Sequence, residues 1–342
     1  MKNNKTNYLR MKKKIAVVAG GDSGEYEVSI RSSKNIVNSL DHDKFEPYLI
    51  VMRNTDWSLH QNDGKILNVD KNDFSVIING EKINFDCAFI TIHGTPGEDG
   101  KLQGYFDLMR IPYTSAGQLQ SAITFNKHFA NQLVAHWGFP VARNLKIRKG
   151  ENISSDYILE NVTLPVFVKP NKGGSSLGTT RVDLKDDLIR NIKLALEHDD
   201  EVLIEEYLPG TELTCGTIRY NNEIRTFPVT EIVSKTASKF FDYEAKYTKG
   251  ASDEITPARI SIELSNKVQQ SSKFLYEKFE LSGIVRFDYI FCRDILYFLE
   301  VNTVPGMTDE SIVPQQAAAA GVNITELFSM TIEDAMNKLK TV

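Results

Sequence analysis

The stretch FLEVNTVPGMT at 298–308 places a carboxylate, Glu300, and an amide, Asn302, two residues apart in a segment that reads as a strand. Side chains alternate along a strand, so Glu300 and Asn302 project from one face while Leu299 and Val301 turn towards a core. Just upstream, IVRFDYIF has the same geometry: Arg286 and Asp288 share one face, and Val285, Phe287 and Tyr289 share the other. If CRDI at 292–295 joins the two segments as a hairpin, Asp288, Glu300 and Asn302 converge on one side. Three hard oxygen donors without a nearby imidazole or thiolate suit Mg²⁺ rather than zinc. Mg²⁺ is held by one or two carboxylates together with substrate phosphates, so the pattern predicts a nucleotide. The bland alternative is a solvated hairpin face carrying scattered charge.

A second constellation points the same way. VFVKPNKGGSSLG at 166–178 is an apolar strand ending in Lys169, followed by a loop with Gly173, Gly174, Ser175, Ser176 and Gly178. Glycines let a backbone turn its N–H groups towards phosphate oxygens, and a lysine adds a point charge. It is not the common P-loop, because Thr179 follows Gly178 where that motif needs lysine. An ordinary turn is the competing reading. Lys127, Lys169 and Lys246 are separately placed cations able to share one triphosphate. VLIEEYLPGTE at 202–212 offers strand backbone that can imitate base pairing to an adenine edge, with Glu212 beyond it to accept from ribose hydroxyls.

These groups need positioning elements. KKIAVVAGG is a short apolar strand closed by two glycines, and SGEYEVSIRSSKNIVNSL follows with Val28, Ile30, Ile36, Val37 and Leu40 spaced for one helical face. FEPYLIVM (45–52) and FDCAFITIHG (85–94) read as buried strands, and DGKLQGYFDLMRI reads as a helix. This alternation predicts a parallel α/β domain with its functional groups at the carboxyl ends of the strands. It should end near Gly117, before a helix QSAITFNKHFANQLVAHWG (120–138). A second unit holds the strand LPVFVKP, the Gly-rich loop, the helix LKDDLIRNIKLALEHD and the strand EVLIEEYL. A third opens with two strands joined at Asn221-Asn222, a hairpin signal, and closes with the metal hairpin and terminal helices. Pro314 suits the first turn of a helix ending in QQAAAAG. The expected architecture is thus a loose extension at 1–13 and a parallel α/β domain at 14–126. An α+β pair of lobes at 127–211 and 212–342 completes it.

Composition bounds the partners. The 342 residues are 41% hydrophobic and 25% charged with a net charge of −5, as in an ordinary soluble protein. Nothing favours nucleic acid or an anionic membrane, and no apolar run approaches the roughly 20 residues of a membrane span. MKNNKTNYLRMKKK is basic but lacks the apolar segment of a secretory signal, and Met11 marks where folding should begin. Cys87, Cys215 and Cys292 lie unpaired in apolar stretches, as expected of buried thiols in a reducing cytoplasm.

Five segments occur in order between residue 14 and about residue 335: GGDSGEYEVS, HGTPGEDGKLQGYFDLMRIPYTSAG, VKPNKGGSSLG, FFDYEAKYTKG and EVNTVPGMTDESIVP. Together they resemble the D-alanine–D-alanine ligase family of the ATP-grasp superfamily. The resemblance implies ATP and Mg²⁺, with two ions and Mn²⁺ as a substitute, and a cytoplasmic homodimer acting on D-alanine. By this resemblance Lys127, Lys169, Ser175 and Ser176 contact ATP phosphates. Glu205, Glu206 and Leu208 form the adenine hinge, Glu212 binds ribose, Phe240 covers the base and Lys246 lies near the γ-phosphate. Asp288, Glu300 and Asn302 ligate the metal. Glu25 captures the ammonium of the first D-alanine, with Val28 and His93 beside it. Arg286 and the Gly306 N–H stabilise a tetrahedral oxyanion, while Ser311 and Ile312 hold the second substrate. Tyr247 and Ser175, with Glu25, link the N-terminal domain to a lid at 234–252.

The resemblance also implies the reaction. One D-alanine carboxylate attacks the γ-phosphate to give an acyl phosphate, and the amine of a second D-alanine displaces phosphate, for peptidoglycan precursor synthesis. Phe241, and Val304 before Pro305, depart from the commonest family pattern as packing variations. Alternatives within the class are D-Ala–D-Ser ligases, D-Ala–D-Lac ligases, which carry His where this chain has Tyr247, and other ATP-grasp ligases such as a biotin-dependent carboxylase subunit. A dinucleotide site would need GxGxxG, whereas Gly20, Gly21 and Gly24 give GGxxG. A non-catalytic nucleotide-binding module would not need Arg286 together with the VNTVPG turn.

Overall fold

A computed structural model describes residues 11–174, 177–234 and 252–338. Strand β1 (Lys13–Gly20) runs parallel to β2 (Phe45–Arg53), with helix α1 (Tyr26–Ser39) crossing between them. A meander of β3 (Asp56–His60), β4 (Ile66–Asp70), β5 (Ser75–Ile78) and β6 (Glu81–Ile83) extends the sheet antiparallel from β2. Strand β7 (Cys87–Ile90) then pairs with β1 in parallel on its other side. The expected parallel core is therefore three strands wide, and the four added strands were not read from the sequence. They are only three to five residues long, although Asn79-Gly80 at the last turn is a hairpin signal.

β1 is buried on both faces. Ile15 and Val17 join one core cluster and Ala16 and Val18 the other, which is why its sequence is continuously apolar. Helix α2 (Lys101–Met109) covers the second face with Leu102 and Phe106. α1 meets the first face with part of the expected apolar stripe, Ile36, Val37 and Leu40, and with buried Ser29, Ser32 and Ser33, which the apolar spacing did not indicate. The serines allow close approach because each hydroxyl is satisfied: Ser29 Oγ accepts from the Gly20 N–H at 2.9 Å, and Ser32 Oγ from the Met307 N–H at 3.3 Å. Val28 is released from the core and lines a cleft.

The single helix expected over 120–138 is two, α3 (Gln118–Phe125) and α4 (Lys127–His136), because Asn126 takes up extended backbone and caps α4 through the Phe129 N–H. The second sheet is antiparallel, in the order β10 (Thr180–Val182), β9 (Val166–Pro170), β11 (Glu201–Glu206) and β8 (Asn144–Arg148). Helices α5 (Ser155–Asn161) and α6 (Leu188–Ala195) cover its core face. In β9, Val166 and Val168 face that core, leaving Phe167 and Lys169 on the opposite face.

The third sheet is also antiparallel. It joins β12 (Thr211–Tyr220), β13 (Glu223–Thr226), β14 (Thr230–Ser234), β15 (Ser252–Ile255), β16 (Ile284–Cys292) and β17 (Ile295–Asn302). Helix α7 (Ile262–Lys278) packs on one face, where Val285, Phe287 and Tyr289 are fully buried as expected. The Asn221-Asn222 turn has φ of 50° and 66°, and the Arg293-Asp294 turn has φ of 50° and 63°. Both match the left-handed pair that two-residue hairpins need. Helices α8 (Ile312–Ala319) and α9 (Ile324–Lys338) return the chain to the first sheet, where Phe328 meets Phe89 edge-on at 5.6 Å. Each such buried aromatic contributes about 1.5–3 kcal/mol, so α9 fastens the first unit to the third. Cys87, Cys215 and Cys292 are free and buried. Among the described residues no helix is long and apolar enough to cross a membrane.

Candidate active site

Two clefts meet between the sheets. The first, of about 340 Å³, lies between the second and third. Phe167 and Lys169 form one wall, and Ile232, Ile290 and Leu299 the other, with Leu208 and Glu212 at its rim. Leu299 was expected in the core. A bulge shifts the pairing so that Asp288 faces Glu300 while Tyr289 faces Phe298, and the unmatched Leu299 turns into the cleft. This gives an apolar pocket with a few polar groups, suited to a purine.

Lys169 Nζ donates to Glu205 Oε2 at 2.6 Å, and Asn131 Nδ2 donates to Glu205 Oε1 at 3.2 Å. The Glu205 side chain therefore braces a lysine. Glu206 alternates outward, and its Oε1 accepts from the Thr163 N–H at 3.2 Å. Glu206 is the described candidate whose side chain reaches neither cleft. Ser175, Ser176, Phe240, Lys246 and Tyr247, together with most of the expected lid and residues 1–10, lie outside the described residues.

The second cleft, of about 840 Å³, opens from the first and shares Lys127 and Glu300 with it. Across the β16–β17 ladder Arg286 faces Asn302 and Asp288 faces Glu300, so all four side chains share one face. Arg286 grips Asp288 with a fork, Nε to Oδ1 at 2.9 Å and Nη2 to Oδ2 at 2.7 Å. Burial works against the guanidinium charge, but Asp288, then Glu300 and Glu254, outweigh it and hold its pKa above the ordinary value. Lys127 Nζ lies 3.9 Å from Glu300 Oε2 and also donates to the Gly173 carbonyl. Asn302 Oδ1 accepts from the Val304 N–H at 3.0 Å. Among the described residues no three His, Cys, Asp or Glu side chains gather to hold a metal. Two carboxylates and an amide in the second cleft, with Glu300 at its junction with the first, fit Mg²⁺, which takes few protein ligands and completes its shell with phosphate and water.

Glu25, Val28, His93, Gly306, Ser311 and Ile312 line the same cleft. Glu25 stands at the start of α1, and a Cβ on Gly174 would come within 2.7 Å of its Oε2, so the Gly-rich loop lies close against this carboxylate. Ser311 Oγ accepts from the Thr308 N–H at 3.0 Å at the head of α8, and a Cβ on Gly306 would stand 2.9 Å from it. His93 is buried, and its Nε2 has no partner among the described residues. Burial lowers its pKa, partly offset by Glu25, so the ring is neutral at pH 7.

Sequence reasoning missed Glu98, which lies in this cleft 7% exposed, with Oε2 accepting from the Gly94 N–H at 2.7 Å. Burial, then the Glu25 charge, push its pKa from 4.5 to about 8. Its only sequence signal was its place in HGTPGEDG. The folded chain holds this proton more tightly than the unfolded chain does, so its contribution to stability is full below pH 4.5 and is lost as pH rises to about 8. Glu98→Gln stays neutral throughout, so its unfolding free energy, measured by urea titration, should decline by a few kcal/mol less than wild type between pH 5 and 9. Parallel declines would show that Glu98 is ionised in the folded chain.

Two lobes facing a nucleotide-sized cleft, with the first unit adding its wall to an acid- and arginine-lined pocket at the cleft's end, define an ATP-grasp ligase. The family models described as D-ala D-ala ligase N-terminus and C-terminus match residues 14–116 and 133–333. A D-alanine–D-alanine ligase of Bacteroides fragilis is 46% identical over 325 residues, 95% of this chain and 99% of that one. The solved structure of a D-Ala:D-Ser ligase from Enterococcus faecalis superposes with a TM-score of 0.85 at 31% identity, covering 94% of this chain and 99% of that one. That of the Bacillus anthracis D-alanine–D-alanine ligase complexed with ATP gives 0.78 at 30% identity, with 97% and 99% covered. The chain belongs to the D-alanine–D-alanine ligase family.

Proposed function

We propose that this chain joins two D-alanine molecules into D-alanyl-D-alanine at the expense of ATP, through an acyl phosphate, in the cytoplasm and as a homodimer, to supply peptidoglycan precursors. The observation that carries the reading is the junction of the two clefts at Lys127 and Glu300, where a γ-phosphate and an amino-acid carboxylate can meet. In this reading residues 14–126 present the first substrate, 127–211 and 212–342 close on ATP, and 1–13 is an extension. Purine sits between Phe167 and Leu299, against the backbone at Glu205, Glu206 and Leu208 and beneath Phe240, with ribose on Glu212. Lys127, Lys169, Lys246 and the loop at 173–176 hold phosphates. Asp288, Glu300 and Asn302 would hold two Mg²⁺ ions, or Mn²⁺, which offset charge on the transferring phosphoryl group.

Glu25 binds the ammonium of the first D-alanine, with Val28 and His93 beside it, and leaves its carboxylate to attack the γ-phosphorus, releasing ADP. The second D-alanine, its carboxylate on Ser311 beside Ile312, attacks the acyl carbon as a free amine. Arg286 and the Gly306 N–H receive the oxyanion, and phosphate departs. Tyr247 and Ser175, with Glu25, tie the lid over the site, which must exclude water from the acyl phosphate. The phenol of Tyr247 offers no positive charge to select a hydroxy-acid carboxylate, which supports D-alanine over D-lactate as acceptor. Phosphate release is measured with ATP, Mg²⁺ and each of D-Ala, D-Ser, D-Lac and L-Ala, with product masses. The D-Ala dipeptide should dominate. D-Ala–D-Ser or depsipeptide as main product would overturn the acceptor assignment, and no ATP-dependent product would overturn the activity.

A further inference from the structure

Behind the phosphate end of the cleft lies a buried polar knot outside the residues assigned above. Asn171 leaves β9 to open the Gly-rich loop and is 0% exposed. Its Nδ2 donates to Asn126 Oδ1 at 3.0 Å and to Glu201 Oε2 at 2.8 Å, and its Oδ1 accepts from the His128 N–H at 2.9 Å. Its carbonyl accepts from the Lys127 N–H at 3.1 Å, and its own N–H donates to the Glu201 carbonyl at 2.9 Å. Asn171 thus touches three consecutive residues at the head of α4 as well as β11. Lys146 Nζ, 3.0 Å from Glu201 Oε1, balances the charge at the back. Asn126 in turn breaks the helix before Lys127, so the knot fixes both where α4 begins and where the loop begins. Beyond it, Lys127 Nζ bonds to the Gly173 carbonyl and closes a ring from loop root to helix head and back.

We propose that Asn171 is a positioning residue for phosphoryl transfer, which locks Lys127 and the Gly173–Gly174 backbone into one rigid phosphate cradle. The proposal rests on the ligase reading for its chemistry, though not for its test. A single side chain makes three hydrogen bonds that tie the head of α4, at Asn126 and His128, to Glu201 on β11, and no smaller residue replaces them. A lysine stem and a glycine backbone are flexible alone, so their joint placement must come from such a brace. In the adenine wall, Phe167 lies at the opposite end of β9 from Asn171, Leu208 lies past the opposite end of β11 from Glu201, and Leu299 stands on β17, so the brace acts on phosphates more than on the base.

The test compares ADP with adenosine as competitors, using the full chain with Asn171→Ala. The affinity for ADP should fall about tenfold while that for adenosine and the KM for D-alanine stay within about twofold. Equal losses for adenosine, ADP and D-alanine would mark a merely structural residue and overturn the proposal, as would an unchanged ADP affinity. If Asn171→Ala does not fold, Glu201→Gln decides. It is isosteric and cannot accept from both Asn171 and Lys146 through two oxygens, so the ADP-to-adenosine ratio should fall in the same sense, and an unchanged ratio overturns the proposal. Wild-type chain that binds ADP but makes no dipeptide would refute the ligase reading and leave this comparison intact.

Discussion

Glu300→Gln is expected to abolish phosphoryl transfer while leaving the fold intact. The substitution keeps shape and removes one charge from the place where the two clefts join. Glu300 faces Asp288 across the ladder and lies 3.9 Å from Lys127, with its side chain 35% exposed. At that exposure the ion pair contributes about 0–1 kcal/mol to stability, so thermal unfolding should barely move. The effect on rate is far larger, because the divalent cation that Glu300 would help hold, by offsetting charge on the transferring phosphoryl group, is worth several kcal/mol in the transition state, and about 4 kcal/mol is roughly a thousandfold in rate. Phosphate release with ATP and D-alanine measures it, with a melting curve beside it. Near-normal turnover would remove FLEVN from the phosphoryl-transfer site.

The hairpin carrying Glu300 was legible because two independent signals agreed. Alternation in IVRFDYIF and FLEVN assigned faces, and a short polar link implied pairing. The structure adds the register: Arg286 opposite Asn302 and Asp288 opposite Glu300. The Gly-rich loop was legible as a loop but not in its attachment, since Asn171 and Asn126 lie 45 residues apart and look like ordinary turn residues. Leu299 was misplaced because strand alternation assumes an unbroken ladder, and no residue type announces a bulge. Helix α1 was read in part: Ile36, Val37 and Leu40 reach the core as expected, but a stripe of serines satisfying backbone groups is invisible to a count of apolar spacing. The break at Asn126 has no proline or glycine to mark it; its cause is tertiary, the bonds to Asn171 and Glu201.

Glu98 shows the same limit in another form. In HGTPGEDG it stands two residues from Gly100 and one from Asp99, as an acid in a polar loop would. What sets it apart is burial beside Glu25, a property of two distant segments meeting. Sequence pattern reports which side chains share a face of one element. Convergence of several elements on one cleft became visible only through the order of the five family-like segments.

Arg286→Lys is expected to stop dipeptide formation while sparing the phosphoryl-transfer half of the reaction. Lysine keeps the charge but loses the planar fork that binds both Asp288 oxygens at 2.9 and 2.7 Å. Removing the charge altogether would leave Asp288, with its side chain 7% exposed, unpaired at a cost of about 3–5 kcal/mol, and unfolding would obscure the chemistry. With lysine one carboxylate oxygen keeps a partner, and the stability loss should be about 1–3 kcal/mol. An oxyanion donor moved out of place costs roughly 10²–10³ in kcat. The two halves can be read apart. Acyl phosphate formation is followed by positional isotope exchange in ATP labelled at the β,γ-bridge, and the second half by dipeptide mass. Exchange should persist near the wild-type rate while dipeptide falls by roughly the factor above. If exchange and dipeptide fall together, Arg286 acts through Asp288 on phosphoryl transfer, and the oxyanion must be held by other groups.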